Sequence, residues 1–303
     1  MIFNAETELQ SLPAYHSAEE ILSHPRFGFA RDEMLREMLA LYEHDPFLTR
    51  LLLEAGRNVL FVVIMCLHAR YDETDRTTWP TLSLVTRSTA AQGVASARRI
   101  HGLVSRFIET GYLQLSSSPR DRRIRILTPN PKMIAQDQDW LVSHYLPLQV
   151  LFPNPGYDRI MRRDSAFQLA QRLVASNFFA LGARVMADHP IVMRFMSHEA
   201  GIMVLIKLLQ LAGAHSHATR GASGDTAGEG ISYSDIGARF GVSRTHVRKI
   251  LQEAEREGLV RLTRGGGQFV ELKPELVDAF DRFLAAGMSG HDLIYNLALR
   301  LAG

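Results

Sequence analysis

Apolar and polar residues between positions 231 and 258 follow the period of two consecutive helices. In the longer helix the apolar positions recur at spacings of three, one and three, which is typical of a helix with one buried face. Ser243 stands directly before this helix and is a good N-cap residue. The predicted buried stripe consists of Val247, Ile250, Leu251 and Ala254. The apolar side of the shorter helix consists of Tyr233, Ile236, Ala238 and Phe240.

The residues after the second helix have the pattern of two strands. Gly258 ends the helix, and residues 259–262 and 268–272 are predicted strands joined by residues 263–267. From Pro274 to Leu301 apolar residues again recur at helical spacing. This part of the chain is therefore predicted to run helix, turn, helix, hairpin and C-terminal helix.

The first half of the chain shows the same order with more departures. A helix begins at Leu82, Gln92-Gly93 marks a turn, and residues 95–108 form a second predicted helix. Residues 112–115 and 124–127 are the predicted strands of a hairpin. The apolar positions of the second helix are Ile100, Leu103, Val104 and Phe107.

Short anchors recur in the two halves at a nearly constant offset. Glu54-Ala55-Gly56 recurs as Glu199-Ala200-Gly201, 145 residues later, and each anchor precedes an apolar helical run. Glu109-Thr110-Gly111 likewise corresponds in position to Arg256-Glu257-Gly258. Two copies of one plan are the preferred interpretation, and chance similarity between helical segments is the alternative.

Charge is unevenly distributed along the chain, although the formal net charge is only +2. Residues 81–125 hold eight Lys/Arg against two Asp/Glu, and residues 231–264 hold seven against four. These two windows carry +6 and +3, so the remainder of the chain carries −7. Two basic segments in an otherwise acidic chain favour a polyanionic partner such as nucleic acid.

The remaining composition excludes several classes of protein. Cys66 is the single cysteine, so an intramolecular disulfide is impossible and a cysteine-based zinc cluster lacks its ligands. The apolar run 59–67 is shorter than the ~20 residues that a membrane-spanning helix needs. Since the N-terminus has no basic region followed by an apolar one, a cytoplasmic protein without membrane contact is expected.

The segment from Ile231 to Arg244, with its Phe240-Gly241-Val242 turn, resembles the helix-turn-helix of Crp-type and MarR-type winged-helix regulators. In those families the helix that opens at the Ser-Arg pair, here Ser243-Arg244, enters the major groove of DNA. The hairpin that follows, called the wing, contacts the backbone or the minor groove. The resemblance therefore implies a winged helix that binds double-stranded DNA, and a helix N-terminus with exposed donors agrees with this role.

A second resemblance concerns the hairpin of the first half. Pro119-Arg120-Asp121-Arg122-Arg123, followed by Leu127-Thr128-Pro129, resembles the wing of MarR-type regulators. In that family an Asp-x-Arg pair positions an arginine for the minor groove, and Asp121 and Arg123 have this spacing. The alternative is a solvated, arginine-rich turn without DNA contact.

The length of the chain and its internal repeat predict two domains. Domain 1–150 contains a helical segment and a first winged helix at about 59–128. Domain 151–303 contains a helical segment, a second winged helix at about 201–273 and the C-terminal helix. The boundary is expected within residues 147–157, because the prolines there, beginning with Pro147, and Gly156 cannot continue a helix.

The candidate DNA contacts are the polar residues of two recognition helices and two wings. In the first copy they are Arg98, Arg99, His101, Arg120, Arg122, Arg123 and Arg125. In the second copy they are Ser243, Arg244, Thr245, His246, Arg248, Lys249, Arg264 and Gln268. For His101 and His246 a surface or capping role is the alternative. The other histidines have no spacing typical of a metal site, so no metal ligands are predicted.

The predicted fold class is mainly α with two small β-hairpin wings, arranged as a tandem winged helix-turn-helix in a single-chain pseudo-dimer. The predicted function is that of a sequence-specific transcription regulator that binds double-stranded DNA at an asymmetric pair of half-sites. The alternatives are a plasmid-type replication initiator and a winged-helix scaffold for protein interactions. Neither an enzyme nor a cofactor is expected, because no phosphate loop, nucleophile elbow or carboxylate pair is present. A small-molecule effector and a homodimer stay open.

Overall fold

The computed structural model describes residues 12–42, 51–53, 55–93, 95–221, 232–263 and 269–302. Contacts divide the chain into two units, and each unit combines segments that are distant in the sequence. The first unit comprises Met1–Ser17, Ala55–Arg184 and Gly287–Gly303, and the second comprises Ala18–Glu54 and Val185–Ala286. The division into 1–150 and 151–303 describes the sequence repeat and stays a prediction.

The described residues are mainly helical and include two small antiparallel hairpins, which confirms the predicted secondary-structure class. The first helices are α1 (Ala18–Ser23), α2 (Phe27–Tyr42), α3 (Ala55–Ala69), α4 (Leu82–Ala90) and α5 (Ala97–Glu109). Then follow α6 (Pro131–Leu151), α7 (Asp158–Met161), α8 (Ser165–Ala175), α9 (Phe179–Asp188) and α10 (Pro190–Met196). The last are α11 (Gly201–Gly221), α12 (Tyr233–Phe240), α13 (Arg244–Arg256) and α14 (Pro274–Ala302). The hairpins pair β1 (Leu113–Ser117) with β2 (Arg125–Pro129) and β3 (Val260–Thr263) with β4 (Phe269–Leu272).

In the first unit, α4 and α5 form a helix-turn-helix that packs beside α3. The Thr81 side chain caps α4 by accepting a hydrogen bond from the Leu84 amide, and the Ser96 side chain caps α5 in the same way. Gly93 lies in the turn with φ of +71°, a conformation that other residues rarely adopt. The buried side of the motif includes Val85, Ile100, Val104 and Phe107.

The β1–β2 hairpin is attached directly to this helix-turn-helix. Its register pairs Leu113 with Pro129, and the Leu127 amide donates to the Pro80 carbonyl oxygen at 2.9 Å. Leu113, Ile126 and Leu127 are buried, whereas β1 from Gln114 onward and Arg125 of β2 are exposed. The hairpin base is thus fixed to the core, and the tip is left accessible.

In the second unit, α12 and α13 form the corresponding motif beside α11. Gly241 ends α12 with φ of +69°, and a Cβ on Gly237 would lie 2.6 Å from the Val242 carbonyl oxygen. Both glycines are therefore required by the turn between the helices. Helix α11 also packs on α2, and Arg31 of α2 pairs with Asp281 of α14 at 3.0 Å.

One local prediction is wrong, because Pro147 does not end a helix. It lies buried inside α6, which continues to Leu151. A proline in a helix interior removes one backbone donor and strains one turn, and burial of its ring can offset that cost. The chain leaves the helix only after Leu151, in a turn that includes Gly156 at φ of +74°.

Candidate nucleic-acid interface

Helix α13 begins with a side-chain cap that fixes the direction of its first turn. The Ser243 hydroxyl accepts a hydrogen bond from the His246 amide at 3.1 Å. The predicted stripe is confirmed, since all four of its members are buried: Val247, Ile250, Leu251 and Ala254. The opposite side of the helix is consequently the one that solvent and a ligand can reach.

The exposed side of α13 is cationic. Arg244, Thr245, Arg248 and Lys249 are all exposed. Lys249 lies 3.9 Å from Glu253, whereas no carboxylate of the described residues pairs with Arg244 or Arg248. Two arginines without acidic partners at the start of a helix can donate to phosphates or base edges.

His246 differs from its neighbours because its ring is engaged within the protein. Its Nε2 lies 2.9 Å from the Glu199 carbonyl oxygen, which can only accept, so Nε2 donates this hydrogen bond. The side chain is half-buried. One of the two ring nitrogens is therefore occupied, which the pattern of the sequence did not indicate.

The second hairpin is only partly described. Its strands β3 and β4 are present, whereas the candidate residues Arg264 and Gln268 lie outside the described residues. Arg261 of β3 lies 3.7 Å from Glu271 of β4, and Lys273, directly after β4, donates to Glu271 at 2.8 Å. The hydrogen bond from Lys273 lowers the pKa of the Glu271 carboxyl.

Helix α5 of the first unit offers a similar surface. Its N-cap Ser96 precedes Arg98 and Arg99, which are exposed, and His101 is exposed one turn further. Arg106 pairs with Glu109 at 3.6 Å. Among the described residues no acidic partner is found for Arg98, so its guanidinium is accessible for a ligand.

The tip of the first hairpin carries four candidate arginines, all exposed: Arg120, Arg122, Arg123 and Arg125. Two of them have partners within the protein. Arg120 lies 3.7 Å from Glu73, and Arg125 donates to the Leu115 carbonyl oxygen at 3.0 Å. Within the described part of the chain, the guanidinium groups of Arg122 and Arg123 have no such partner.

Asp121 shapes this tip differently from the expectation for an Asp-x-Arg pair. Its carboxylate accepts a hydrogen bond from the Arg123 backbone amide at 3.2 Å, and not from the Arg123 guanidinium. The guanidinium that pairs with Asp121 belongs to Arg76, at 3.0 Å. Asp121 thus orders the turn and leaves the Arg123 side chain accessible.

The sequence patterns did not single out Arg76 or Glu73 as residues of this surface. Arg76 lies in a single 3-10 turn, Arg76–Thr78, which the Asp75 side chain caps. The sequence feature that could have indicated them is a short polar segment, 72–78, which ends at buried Trp79. Its proximity to the hairpin tip depends on the packing of the domain.

The described residues contain no group of three or more His, Cys, Asp or Glu residues that could hold a metal ion. No helix in the described part of the chain is both long and apolar enough to cross a membrane.

A helix-turn-helix followed by an antiparallel hairpin, with cationic residues on the first turn of the second helix, is the arrangement of a winged-helix DNA-binding domain. Residues 226–270 match the model of a family described as bacterial regulatory proteins, gntR family. The match includes α12, α13 and β3. This part of the chain is therefore a winged-helix DNA-binding domain of the kind that transcription regulators carry. No curated protein and no solved structure gives a significant match to the chain.

The matched family is neither the Crp-type nor the MarR-type family that the sequence patterns suggested. The match supports the DNA-binding winged helix of the second unit. It does not extend to the helix-turn-helix of the first unit, which comprises α4 and α5.

Proposed function

We propose that this protein is a sequence-specific transcription regulator that presents two recognition helices, α5 and α13, and two wings from one chain to double-stranded DNA. The observation that carries the proposal is the shared construction of the two helices. Each begins at a capping serine, buries an apolar stripe and exposes arginine on its first turn. The positive end of a helix dipole and these arginines both favour an anionic ligand there.

The distribution of unpaired charge supports DNA as that ligand. No acidic partner occurs among the described residues for five exposed arginines: Arg98, Arg122, Arg123, Arg244 and Arg248. Structural arginines usually have carboxylate partners, whereas arginines that bind phosphates or guanine are accessible in the free protein. The proposal is thus of a DNA-binding protein and not of an enzyme.

Several finer features remain part of the proposal. The halves differ in helix and wing sequence, so the preferred DNA has two unlike half-sites. MarR-like character in the first copy and Crp/MarR-like character in the second are further predictions, as are the tandem duplication and the pseudo-dimer. Binding of a small-molecule effector and formation of a homodimer are two further predictions.

The proposal is tested by one substitution in each recognition helix. Arg244→Ala should flatten base preference at one position of one half-site, because a bidentate contact with guanine contributes about 1–3 kcal/mol. Arg98→Ala should act in the same way on the other half-site. The measurement is binding of each variant to a panel of single-base changes in a DNA fragment selected from genomic DNA.

Two outcomes of this experiment are informative, and a separate unwinding assay addresses the replication initiator. A uniform loss of affinity over the panel would place Arg244 on a phosphate. If Arg98→Ala left both half-sites unchanged, the first unit would not read DNA, and the scaffold alternative would apply to it. Local unwinding of repeated DNA by the wild type would favour the replication initiator.

The wing of the first unit should contribute affinity and little sequence preference. Arg122 and Arg123 lie exposed at a hairpin tip, where a guanidinium reaches the backbone or the minor groove. Arg122→Ala combined with Arg123→Ala should therefore weaken binding to all sequences by a similar factor. Titrations with a selected fragment and an unrelated duplex measure this, and Arg162→Ala, an exposed arginine of the same unit outside the wing, is the control. Loss of preference at a single base pair would instead mean that the wing reads bases.

A further inference from the structure

The segment 194–201, which ends α10 and turns into α11, has a tightly constrained backbone. Ala200 has φ of +55°, which is unusual for a residue with a side chain. Its amide donates to the Leu53 carbonyl oxygen at 3.1 Å. A Cβ on Gly201 would lie 2.1 Å from the Phe195 carbonyl oxygen, so no side chain fits there. We call this segment the clamp.

Three polar contacts join the clamp to helix α13. The first is the hydrogen bond from His246 Nε2 to the Glu199 carbonyl oxygen, at 2.9 Å. The second is the pair between His198 Nε2 and Glu253 Oε2, at 3.0 Å. The third is the ion pair between Arg194 and Glu257. Together they extend from the first turn of α13 to the residue that follows its last turn.

The helical positions of these contacts separate them from the cationic surface. His246, Glu253 and Glu257 are seven and four residues apart, a spacing that places side chains on one face of a helix. Arg244 and Arg248 are four residues apart on a different face. The clamp therefore holds α13 from a side that the exposed arginines do not occupy.

Apolar packing lies between the polar contacts. Phe195 of the clamp and Ile250 and Ala254 of α13 are buried, and they line the same small cleft as the charged residues of the contacts. The ion pairs themselves are partly exposed, with side-chain exposure of 58% for Arg194 and 35% for Glu257. Exposed pairs contribute little to the free energy of unfolding, so stability alone does not account for two of them along one helix.

We propose that the clamp sets the orientation of α13 for base recognition, and that His246, Glu253 and Glu257 are positioning residues that do not touch DNA. This inference rests on the proposed function, since it takes α13 as the helix that enters the major groove. A contact between a side chain and a base edge depends on direction more strongly than a contact with a phosphate does. Loosening the clamp therefore lowers discrimination between sequences more than it lowers general affinity for DNA.

The test measures the ratio of affinities for a selected DNA fragment and an unrelated duplex at one salt concentration. His246→Ala should lower this ratio about tenfold. The affinity for the selected fragment should fall while the affinity for the unrelated duplex stays the same, because base contacts are lost and phosphate contacts remain. His246→Gln, which keeps a side-chain N–H donor, should restore most of it. Arg282→Ala, at an exposed position of α14 in the same unit and outside the helix-turn-helix and the wing, is the control and should leave the ratio unchanged.

A second pair of variants covers the case in which His246→Ala does not fold. Arg194→Glu alone should lower the ratio, and Arg194→Glu with Glu257→Arg should restore it, because the exchanged charges can pair again. An equal loss on both DNAs in His246→Ala would mean that His246 contacts a phosphate, and the proposal would be wrong. An unchanged ratio in Arg194→Glu would also overturn it. Failure of the proposed function is distinguishable, since the wild type itself would then show no preference.

Discussion

The affinity of this protein for DNA should fall by about 10³- to 10⁵-fold between 50 and 200 mM salt, the range expected for about six to ten phosphate contacts. The reason is the release of counterions when arginine and lysine neutralise phosphates. Cationic residues lie on α5, on the tip of the first hairpin and on α13, and several have no acidic partner among the described residues. The net charge of +2 is too small to produce such a slope without these local surfaces.

The salt dependence is measured by titrating a labelled duplex with the protein at a series of salt concentrations. Each phosphate contact removed should reduce the slope of log affinity against log salt by about 1. Arg122→Ala with Arg123→Ala should therefore give a shallower slope than the wild type, and Arg162→Ala should not change it. A slope near zero for the wild type would contradict the DNA-binding proposal and would favour a role in protein interactions.

Removal of Arg172 should lower the free energy of unfolding by about 3–5 kcal/mol, the usual cost of leaving one member of a buried ion pair alone. Arg172 in α8 donates to Asp137 in α6 from Nε at 3.0 Å and from Nη2 at 2.5 Å. The two side chains are 3% and 0% exposed. Gln168 donates to the same carboxylate at 2.7 Å, and after Arg172→Leu it would be the one remaining side-chain donor found among the described residues.

The measurement is urea unfolding of the wild type and of Arg172→Leu. The matched control is Asp139→Asn, which breaks the exposed pair between Asp139 and Arg163 and should cost less than about 1 kcal/mol. Replacing both buried partners, as in Arg172→Leu with Asp137→Leu, should recover most of the loss because no buried charge is left unpaired. A loss below that of the control would show that water reaches the Asp137 carboxylate in the variant.

The helices of the candidate interface were predictable because their signals are local. An apolar stripe identified α5 and α13, a serine cap marked the start of α13, and glycine marked both turns. Periodicity depends only on residues within a few turns of one another, so a single sequence is sufficient to recognise it. The same reasoning failed at Pro147, where burial in the folded protein outweighs the local preference.

The partners of individual side chains could not be predicted in this way. Asp121 pairs with Arg76, 45 residues away, and His246 bonds to a carbonyl 47 residues away. Which acceptor lies near a side chain depends on how helices and hairpins pack, and spacing along one element does not contain that information. Sequence reasoning therefore identified the surface of α13 that is available to DNA and missed the contacts between the clamp and α13.

The sequence by itself determined that this chain is mainly helical, that it contains helix-turn-helix elements followed by hairpins, and that arginines cluster on them. Only the tertiary structure decided which segments fold together. His16 donates from its backbone amide to Asp292 at 2.7 Å, across 276 residues of sequence, so both ends of the chain belong to the first unit. Such a contact arises because burying the Asp292 carboxylate requires donors from any segment that can reach it, and Tyr157 supplies another at 2.8 Å. No periodic pattern records that requirement, since it is met by atoms brought together in space.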